Sequence, residues 1–401
     1  MVRTNDGGIR DRVGELSPDR LVRSTLGRAY PYVHRGTLSV LRSRVLHREE
    51  LRRRASREGS LLDYGEPETY ELQPPATPDD LEGRVAERVG THRLPRPFVG
   101  ELRDCRLLGA YPLAVTDREE FVMEAAVRPT VLVLNLLGSA RELAANPSGL
   151  RDLRSDASLD VACPLFNYWS SGYFHWTYES LIRLQGVERY REATGRTPTL
   201  VLGPDPPAWQ RESLALLGYG AGDWVEWDRR AATVDRLVVP SVRRTSVLSP
   251  AAVEWLRERV TSRLRADGSL PDPQDTPDRV YVSRADADRR RVENEDAVVR
   301  ALSEFGFERF VLSELSVPEQ AALFAGAEVV VAPHGAGLTN LTFADDAAVV
   351  ELFRAGDVRG QYFQLAGIRG LEYHYRVADS VGEDMRVDVE ELRALVNSVL
   401  G

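Results

Sequence analysis

Apolar positions along the chain fall into short runs that alternate with amphipathic stretches, and from about residue 199 the alternation is regular. Residues 199–203 read as a strand, 209–217 as a helix closed by Gly218, and 224–227 and 236–239 as strands. Ser249-Pro250 opens a helix that carries Val253, Leu256, Val260 and Leu264 on one face. Beyond residue 279 the pattern is cleaner. Residues 279–283 predict a strand, Asn294 caps a helix with Val298, Leu302 and Phe305 inward, and 310–312 predict the next strand. Ser316 and Glu319 form a capping box for a helix over 318–325. Residues 348–353 predict a strand, 361–366 and 373–377 two further elements, and Asp388 caps a last helix with Leu392, Leu395, Val396, Val399 and Leu400 as its stripe. Upstream the apolar runs are shorter. Those at 102–108, 113–115, 121–123 and 130–136 predict a small β layer at the entrance of a first domain, with a tight turn at Asp117-Arg118-Glu119. Residues 161–165 predict another strand, and 67–78, punctuated by four prolines, a linker or loop.

Strand–helix alternation on both sides of residues 266–278, a stretch with three prolines and four aspartates, predicts an α/β protein. Two doubly wound, Rossmann-like domains would face each other across a cleft. The expected division is an arm at 1–60, a first α/β domain at 61–265, a linker at 266–278 and a second α/β domain at 279–401.

The stretch with most chemistry is Val329-Val330-Val331-Ala332-Pro333-His334-Gly335-Ala336-Gly337-Leu338-Thr339-Asn340. Three β-branched residues in a row suit a parallel strand covered on both faces. Gly335 and Gly337 permit a sharp turn and close approach of a ligand to the backbone. A helix starting there would present free amides to an anion, diphosphate being the usual guest. Two neighbouring positions strengthen this reading. Ser283-Arg284 ends the strand at 279–283, with Arg289, Arg290 and Arg291 close behind, and arginine forks match phosphate oxygens. Glu351 sits in the next apolar run, where a carboxylate is placed to accept ribose hydroxyls.

Composition narrows the class. Among 401 residues, 52 are basic and 61 acidic, and every basic one is arginine. The net charge of −9 argues against nucleic acid as a partner and, with the absence of lysine, suggests a high-GC genome and a salt-rich cytoplasm. Two cysteines make neither a disulfide framework nor a thiolate metal site, and the expected home is cytoplasmic. Residues 1–60 run the other way, with 14 arginines against seven acids. Leu38, Leu41, Val45 and Leu46 recur there at helical spacing among arginines. Such an arm either meets an anionic membrane at the inner face or packs on the acidic body.

A third cluster lies upstream. His175 and Glu179 are four apart on an aromatic helix read from about Phe174, so they can meet. Asp286-Ala287-Asp288 is formally a metal-binding signature, but it lies in an arginine-dense loop away from a strand end, and metal dependence is not expected.

Tyr281-Val282-Ser283-Arg284, Arg290-Arg291 with Asn294-Glu295, Ala332 through Asn340, and Val350-Glu351-Leu352 together resemble glycosyltransferase family 61. Asn167-Tyr168, His175-Trp176, Glu179 and Arg183 resemble that family's first-domain motif, here with Trp169-Ser170-Ser171-Gly172 ahead of His175. The resemblance runs from roughly residue 100 to 380. It implies a GT-B fold, a nucleotide-sugar donor (usually a UDP-sugar), inversion at the anomeric carbon, and no cofactor. The acceptor would be a hydroxyl of a glycan, glycolipid or other glycoconjugate, in surface polysaccharide or protein glycosylation. The donor side would be Ser283, Arg284, Arg290, Arg291, His334, Gly335, Ala336, Gly337, Leu338, Thr339, Asn340 and Glu351. His175 would be the base with Glu179 orienting it, or Glu179 would act alone. A nucleotide-sugar epimerase and a non-catalytic nucleotide- or glycan-binding protein are the competing classes.

Overall fold

The computed structural model describes residues 42–76, 83–145, 157–228, 230–242, 247–269 and 276–401. Residues 270–275 of the proline-rich stretch at 266–278 and the arm's Leu38 and Leu41 lie outside the described residues. The chain builds two large sheets, both mixed with helices in a Rossmann-like manner.

The second sheet carries the candidate donor site. Its order is Glu308–Phe310, Arg279–Val282, Val329–Pro333, Ala348–Arg354, Glu372–Val381, Asp384–Arg386. The first five strands run parallel and the last folds back as a hairpin. Val329–Pro333 is buried at every position. The reason is visible in its packing: Val329 and Val331 meet the helices Glu295–Ser303 and Val389–Val399 on one face. Val330 and Ala332 meet Val317–Gly326 and Gln361–Arg369 on the other. A strand covered on both sides needs an unbroken apolar run, which is what the sequence supplies. The order of this sheet reverses between Arg279–Val282 and Val329–Pro333. A crevice therefore opens at the carboxyl ends of these two strands, and open α/β sheets bind ligands at such a point.

The first sheet differs from the doubly wound form expected of it. Its parallel part is Ala231–Pro240, Ser158–Pro164, Thr199–Leu202 and Trp224–Glu226. Antiparallel strands Phe98–Leu108, Leu113–Val115 and Phe121–Val122 continue the same sheet rather than forming a layer at its entrance. Short strands joined by tight turns can pair only antiparallel. The turn at Asp117-Arg118-Glu119 is present, with Glu119 at φ 59°.

Four local expectations are corrected. Residues 130–136 are not a strand but part of the helix Pro129–Ala145. Pro129 suits a first helical position, and the Arg141-Glu142-Leu143-Ala144-Ala145 continuation consists of strong helix formers. Residues 67–78 contain the strand Glu68–Leu72, which pairs with Gly90–Leu94. Its Tyr70 donates to the Leu248 carbonyl and Leu72 is buried. Asn294 does not cap its helix, because its side chain is spent on both backbone groups of Val387. The segment after Gly335 is the seven-residue 3-10 helix Ala336–Thr342, so the expected α-helical N-terminus is absent there.

The basic arm is also reinterpreted where it is described. Val45–Leu46 is a strand parallel to Phe121–Val122, which breaks the proposed continuous helical stripe. Arg48–Arg57 is a helix whose Leu51 and Ala55 are buried against the first sheet. Its arginines pair with the body: Arg48 with Glu124, Arg52 with Asp63, and Arg54 with Asp117, Glu120 and Glu58. No helix among the described residues is long and apolar enough to cross a membrane. Both cysteines are buried thiols. If this helix is an integral layer, Leu51→Ala is expected to cost about 2–5 kcal/mol in chemical denaturation. A loss below about 0.5 kcal/mol would return the helix to the status of a detachable arm.

Candidate functional site

A cavity of about 510 Å³ lies at the strand-order reversal of the second sheet. One wall is built from strand ends: Val282, Ser283 and Arg284 from one strand, and Pro333, Gly335, Ala336, Gly337 and Leu338 after the other. The opposite wall comes from the first half of the chain, through Tyr173, Ala208, Trp209 and Glu212. Leu312 to Ser316 closes the side. The lining thus combines aromatic and apolar side chains with three carboxylates, Glu212, Asp286 and Glu314, and one guanidinium, Arg284. Arg284 marks its junction with a cationic cluster.

Arg284 crosses Gly335 closely, so that a Cβ at Gly335 would fall on the guanidinium. Gly335 itself is extended, at φ −171°, and its lack of a side chain rather than an unusual backbone is what matters. Arg290, held in the left-handed region at φ 58°, lies near enough to Arg284 for the two charges to oppose each other. Burial lowers the Arg284 pKa from its ordinary value. Burial together with Arg284, Arg289 and Arg359 brings Arg290 down to about 10. The Nε atoms of Arg284 and Arg290 are buried without a hydrogen-bond partner among the described residues. Converging cations of this kind suit an anion with several oxygens.

His334 lies beneath this cluster, 2% exposed, stacked on Phe353 with ring centroids 5.2 Å apart. Its Nδ1 meets Glu351, and its Nε2 faces the Gln361 amide at 3.3 Å. Burial pulls the imidazole pKa well down, with Arg290, Arg359 and Arg284 adding to the effect. Burial also pushes Glu351 up to about 8, against a hydrogen bond from Tyr373 and the charge of Arg290. The low-dielectric site favours the neutral form of each partner.

The expected donor residues therefore separate. Arg284, Gly335, Ala336, Gly337 and Leu338 line the cavity, Arg290 belongs to the cationic cluster beside it, and the neutral His334 lies beneath that cluster. Ser283 lies in the wall, but its hydroxyl donates to Glu295 at 2.7 Å and accepts from Arg309. Arg291 is turned away and held by both Asp384 oxygens on the hairpin. Glu351 is fully buried with one oxygen on His334 and the other on Tyr373, so it supports His334 and does not reach a ribose. Asn340 bridges Tyr173 and Gln320, tying the two halves of the chain together, and Thr339 is buried beside it. Gly337 is required for packing: a Cβ there would strike Leu312 at 2.6 Å. Gly337→Val would therefore disturb the cavity wall itself. Asp286 lines the cavity, and Asp288 is exposed. Among the described residues no three His, Cys, Asp or Glu side chains are grouped to hold a metal.

Several site residues escaped the sequence reading. Arg359, Gln361 and Tyr362, which surround His334 rather than line the cavity, follow the strand Ala348–Arg354, and the wall residue Trp209 follows Thr199–Leu202 across a proline-rich turn. Position after the carboxyl end of a strand was the available signal in both cases.

His175 and Glu179 do meet, with Nδ1 3.0 Å from a Glu179 oxygen. The helix carrying them is irregular: Tyr173–His175 is one turn, and Trp176–Ser180 is a π-helical turn. π turns often mark functional sites. The His175 side chain is 32% exposed, whereas Glu179 is fully buried and also paired with Arg128. His175 is not in the cavity wall. It connects to the cationic cluster through Phe174, whose ring packs on Tyr362 at 5.6 Å, and Tyr362 packs on His334 at 5.3 Å.

The comparison with known proteins agrees with the resemblance noted in the sequence. The family model described as Glycosyltransferase 61 matches residues 173–350, a span that includes His175, Arg284 and the His334 turn. An EGF domain-specific O-linked N-acetylglucosamine transferase of Gallus gallus is 35% identical over 107 residues, 25% of this chain and 20% of the relative. The enzymes of the same name from Mus musculus and Bos taurus are 36% identical over 107 residues and 34% over 101. The chain spans about a fifth of the length of these relatives. Together the matches support a glycosyltransferase.

The buried pair gives a test of the site's electrostatics. Glu351 keeps its proton in the folded chain up to about pH 8, whereas in the unfolded chain it loses it near its ordinary 4.5. Stability from this group therefore falls as pH rises between those values. His334, held below its ordinary 6.5, contributes the opposite slope at lower pH, and the two offset up to about 6.5. The net loss is expected between about pH 6.5 and 8, at about 2 kcal/mol. Urea unfolding at pH 6.5 and 8.5 should show it in the wild type and not in Glu351→Gln. The same pH dependence in both proteins would mean that Glu351 is already ionised in the fold.

Proposed function

We propose that this chain is an inverting, metal-independent glycosyltransferase of GT-B type that takes its sugar from a nucleoside diphosphate sugar, with a UDP-sugar as the expected donor. The observation that carries this reading is a 510 Å³ cavity at the strand-order reversal that adjoins the Arg284–Arg290 pair. Trp209 and Tyr173 offer ring surface for a base, Glu212 and Glu314 offer acceptors for N–H and ribose hydroxyl groups, and Arg284 opens toward the cationic cluster. The guanidiniums of Arg284 and Arg290 attract a diphosphate, so the donor's phosphates are expected there and its base against the ring surface. Its sugar then lies on the side of the cationic cluster, toward His175. The matched family and the named activity of the relatives agree with sugar transfer.

The chemistry asked of these residues is modest. An acceptor hydroxyl oxygen attacks the anomeric carbon as the bond from that carbon to the β-phosphate oxygen breaks. The bonding pair goes to the phosphate, where Arg284 and Arg290 stabilise the growing charge. His175 takes the hydroxyl proton on the opposite face, which in-line displacement with inversion requires. Glu179 is buried and shared with Arg128, so it orients His175 and is not itself the base. The acceptor is a hydroxyl of a glycan or another glycoconjugate.

His175→Ala is expected to lower kcat by about 10²–10⁴ with donor Kd nearly unchanged. Glu179→Gln should lose less. The assay is turnover of a panel of nucleotide sugars, with donor Kd measured by calorimetry and product anomer by NMR. A His175→Ala variant that turns over at the wild-type rate would place the base elsewhere. Retention of configuration would exclude the mechanism.

A further inference from the structure

His175 is the centre of a small array that the proposed reaction does not by itself require. Glu179 is completely buried, and its Oε1 lies against both His175 Nδ1, at 3.0 Å, and the Arg128 guanidinium, as an ion pair. The same guanidinium lies over the Trp169 indole, 4.8 Å from the ring centroid. Trp169 in turn packs on the His175 ring, with centroids 4.7 Å apart. Two contacts therefore fix the imidazole, a carboxylate at its edge and an indole on its face, and Arg128 touches the partner of each.

The backbone is distorted to put Arg128 there. Val127 has φ 70°, a conformation that a β-branched residue adopts at a cost. The Arg128 amide donates to the Ala126 carbonyl at 2.8 Å, which closes a three-residue γ-turn around Val127. The helix Pro129–Ala145 starts on the next residue. Strain of this kind persists where the surroundings over-determine it, and it is concentrated at functional sites.

The electrostatic consequence concerns the protonation state of His175. A lone buried carboxylate beside an imidazole favours the imidazolium, which cannot act as a base. A guanidinium on the same carboxylate offsets that attraction. The ionisable groups next to this turn include Tyr173, Tyr178 and Tyr362, which burial raises so that they stay neutral across the working range, and the charged Glu212 and Arg369, which act on Tyr173 and Tyr178. The 3-10 segment Ala336–Thr342, packed against the same turn, carries no titratable side chain.

We propose that Arg128 is a positioning residue that acts through Glu179 to keep His175 unprotonated and correctly turned for proton abstraction. Trp169 holds the ring plane. This rests on the reading of His175 as the base, and the two are tested separately by observing the imidazole directly.

In full-length protein without donor, NMR titration of His175 should shift by about one pH unit or more to higher pH in Arg128→Met, and to lower pH in Glu179→Gln. Arg128→Lys keeps the charge and should titrate near the wild type. The acid limb of the pH–rate profile should move in the same directions, so that Arg128→Met recovers activity as pH is raised. An Arg128→Met titration that coincides with the wild type would overturn the proposal, because a residue serving only to fill space leaves that titration in place. Should Arg128→Met fail to fold, the Arg128→Lys and Glu179→Gln titrations decide it: Glu179→Gln must move down while Arg128→Lys stays, and any other pattern rejects the coupling. If the imidazole titrations move as expected while the pH–rate profiles do not, Arg128 sets the His175 charge but His175 is not the base.

Discussion

Two arginines held together with no ion-paired carboxylate among the described residues are the constraint around which the site is built. Arg284 and Arg290 repel each other and are partly desolvated, and the Nε of each lacks a hydrogen-bond partner among the described residues. A folded chain does not keep such an arrangement for stability, since burying charge without a partner is costly. The surroundings hold it in place. Gly335 leaves room for the Arg284 guanidinium, the left-handed backbone at Arg290 turns its side chain inward, and the neutral His334–Glu351 pair sits below without cancelling the charge. In the proposed reading an anion with several oxygens would complete the site electrostatically, and the adjoining cavity would receive the nucleoside.

The second constraint is how the two sheets share one interior. Phe174 and Tyr178 leave the first half and pack with Tyr362, Leu338 and Phe353 of the second. Tyr173 and Asn340 add a hydrogen bond across the same boundary. The π turn at Trp176–Ser180 therefore does two things at once. It anchors the halves to each other through its aromatic side chains and sets His175 at a fixed offset from the cationic cluster. In the proposed reading the sugar lies between these anchored groups, and groups held in place there favour reaction by lowering the entropy lost on reaching the productive geometry.

The sequence was most informative where one strand carried its own explanation. Val329 to Val331 has to be central because it is apolar at every position, and the glycines beyond it mark the crevice. Pairing of His175 with Glu179 followed from spacing alone. Residues whose roles depend on distant partners were misassigned. Glu351 looked like a ribose acceptor until Tyr373 and His334 were seen to occupy both its oxygens, and Arg291 looked like a phosphate ligand until Asp384 was seen to hold it. Arg359 and Trp209 also follow strand ends, but each stands outside any repeated or spaced pattern, so the sequence did not distinguish them from other loop residues. The apolar run at 130–136 had strand composition and formed a helix, since Pro129 and the helix formers downstream decide the backbone there.

Calorimetric titration with UDP tests the central claim most directly, in the wild type and in Arg290→Gln, at low and at raised salt. The account expects binding that weakens with salt, and at least a tenfold loss of affinity in the variant, since charge-assisted contacts of this kind contribute roughly 1.5–3 kcal/mol. The wild-type salt dependence should be reduced along with it. UDP affinity unchanged in a folded Arg290→Gln variant would contradict the account.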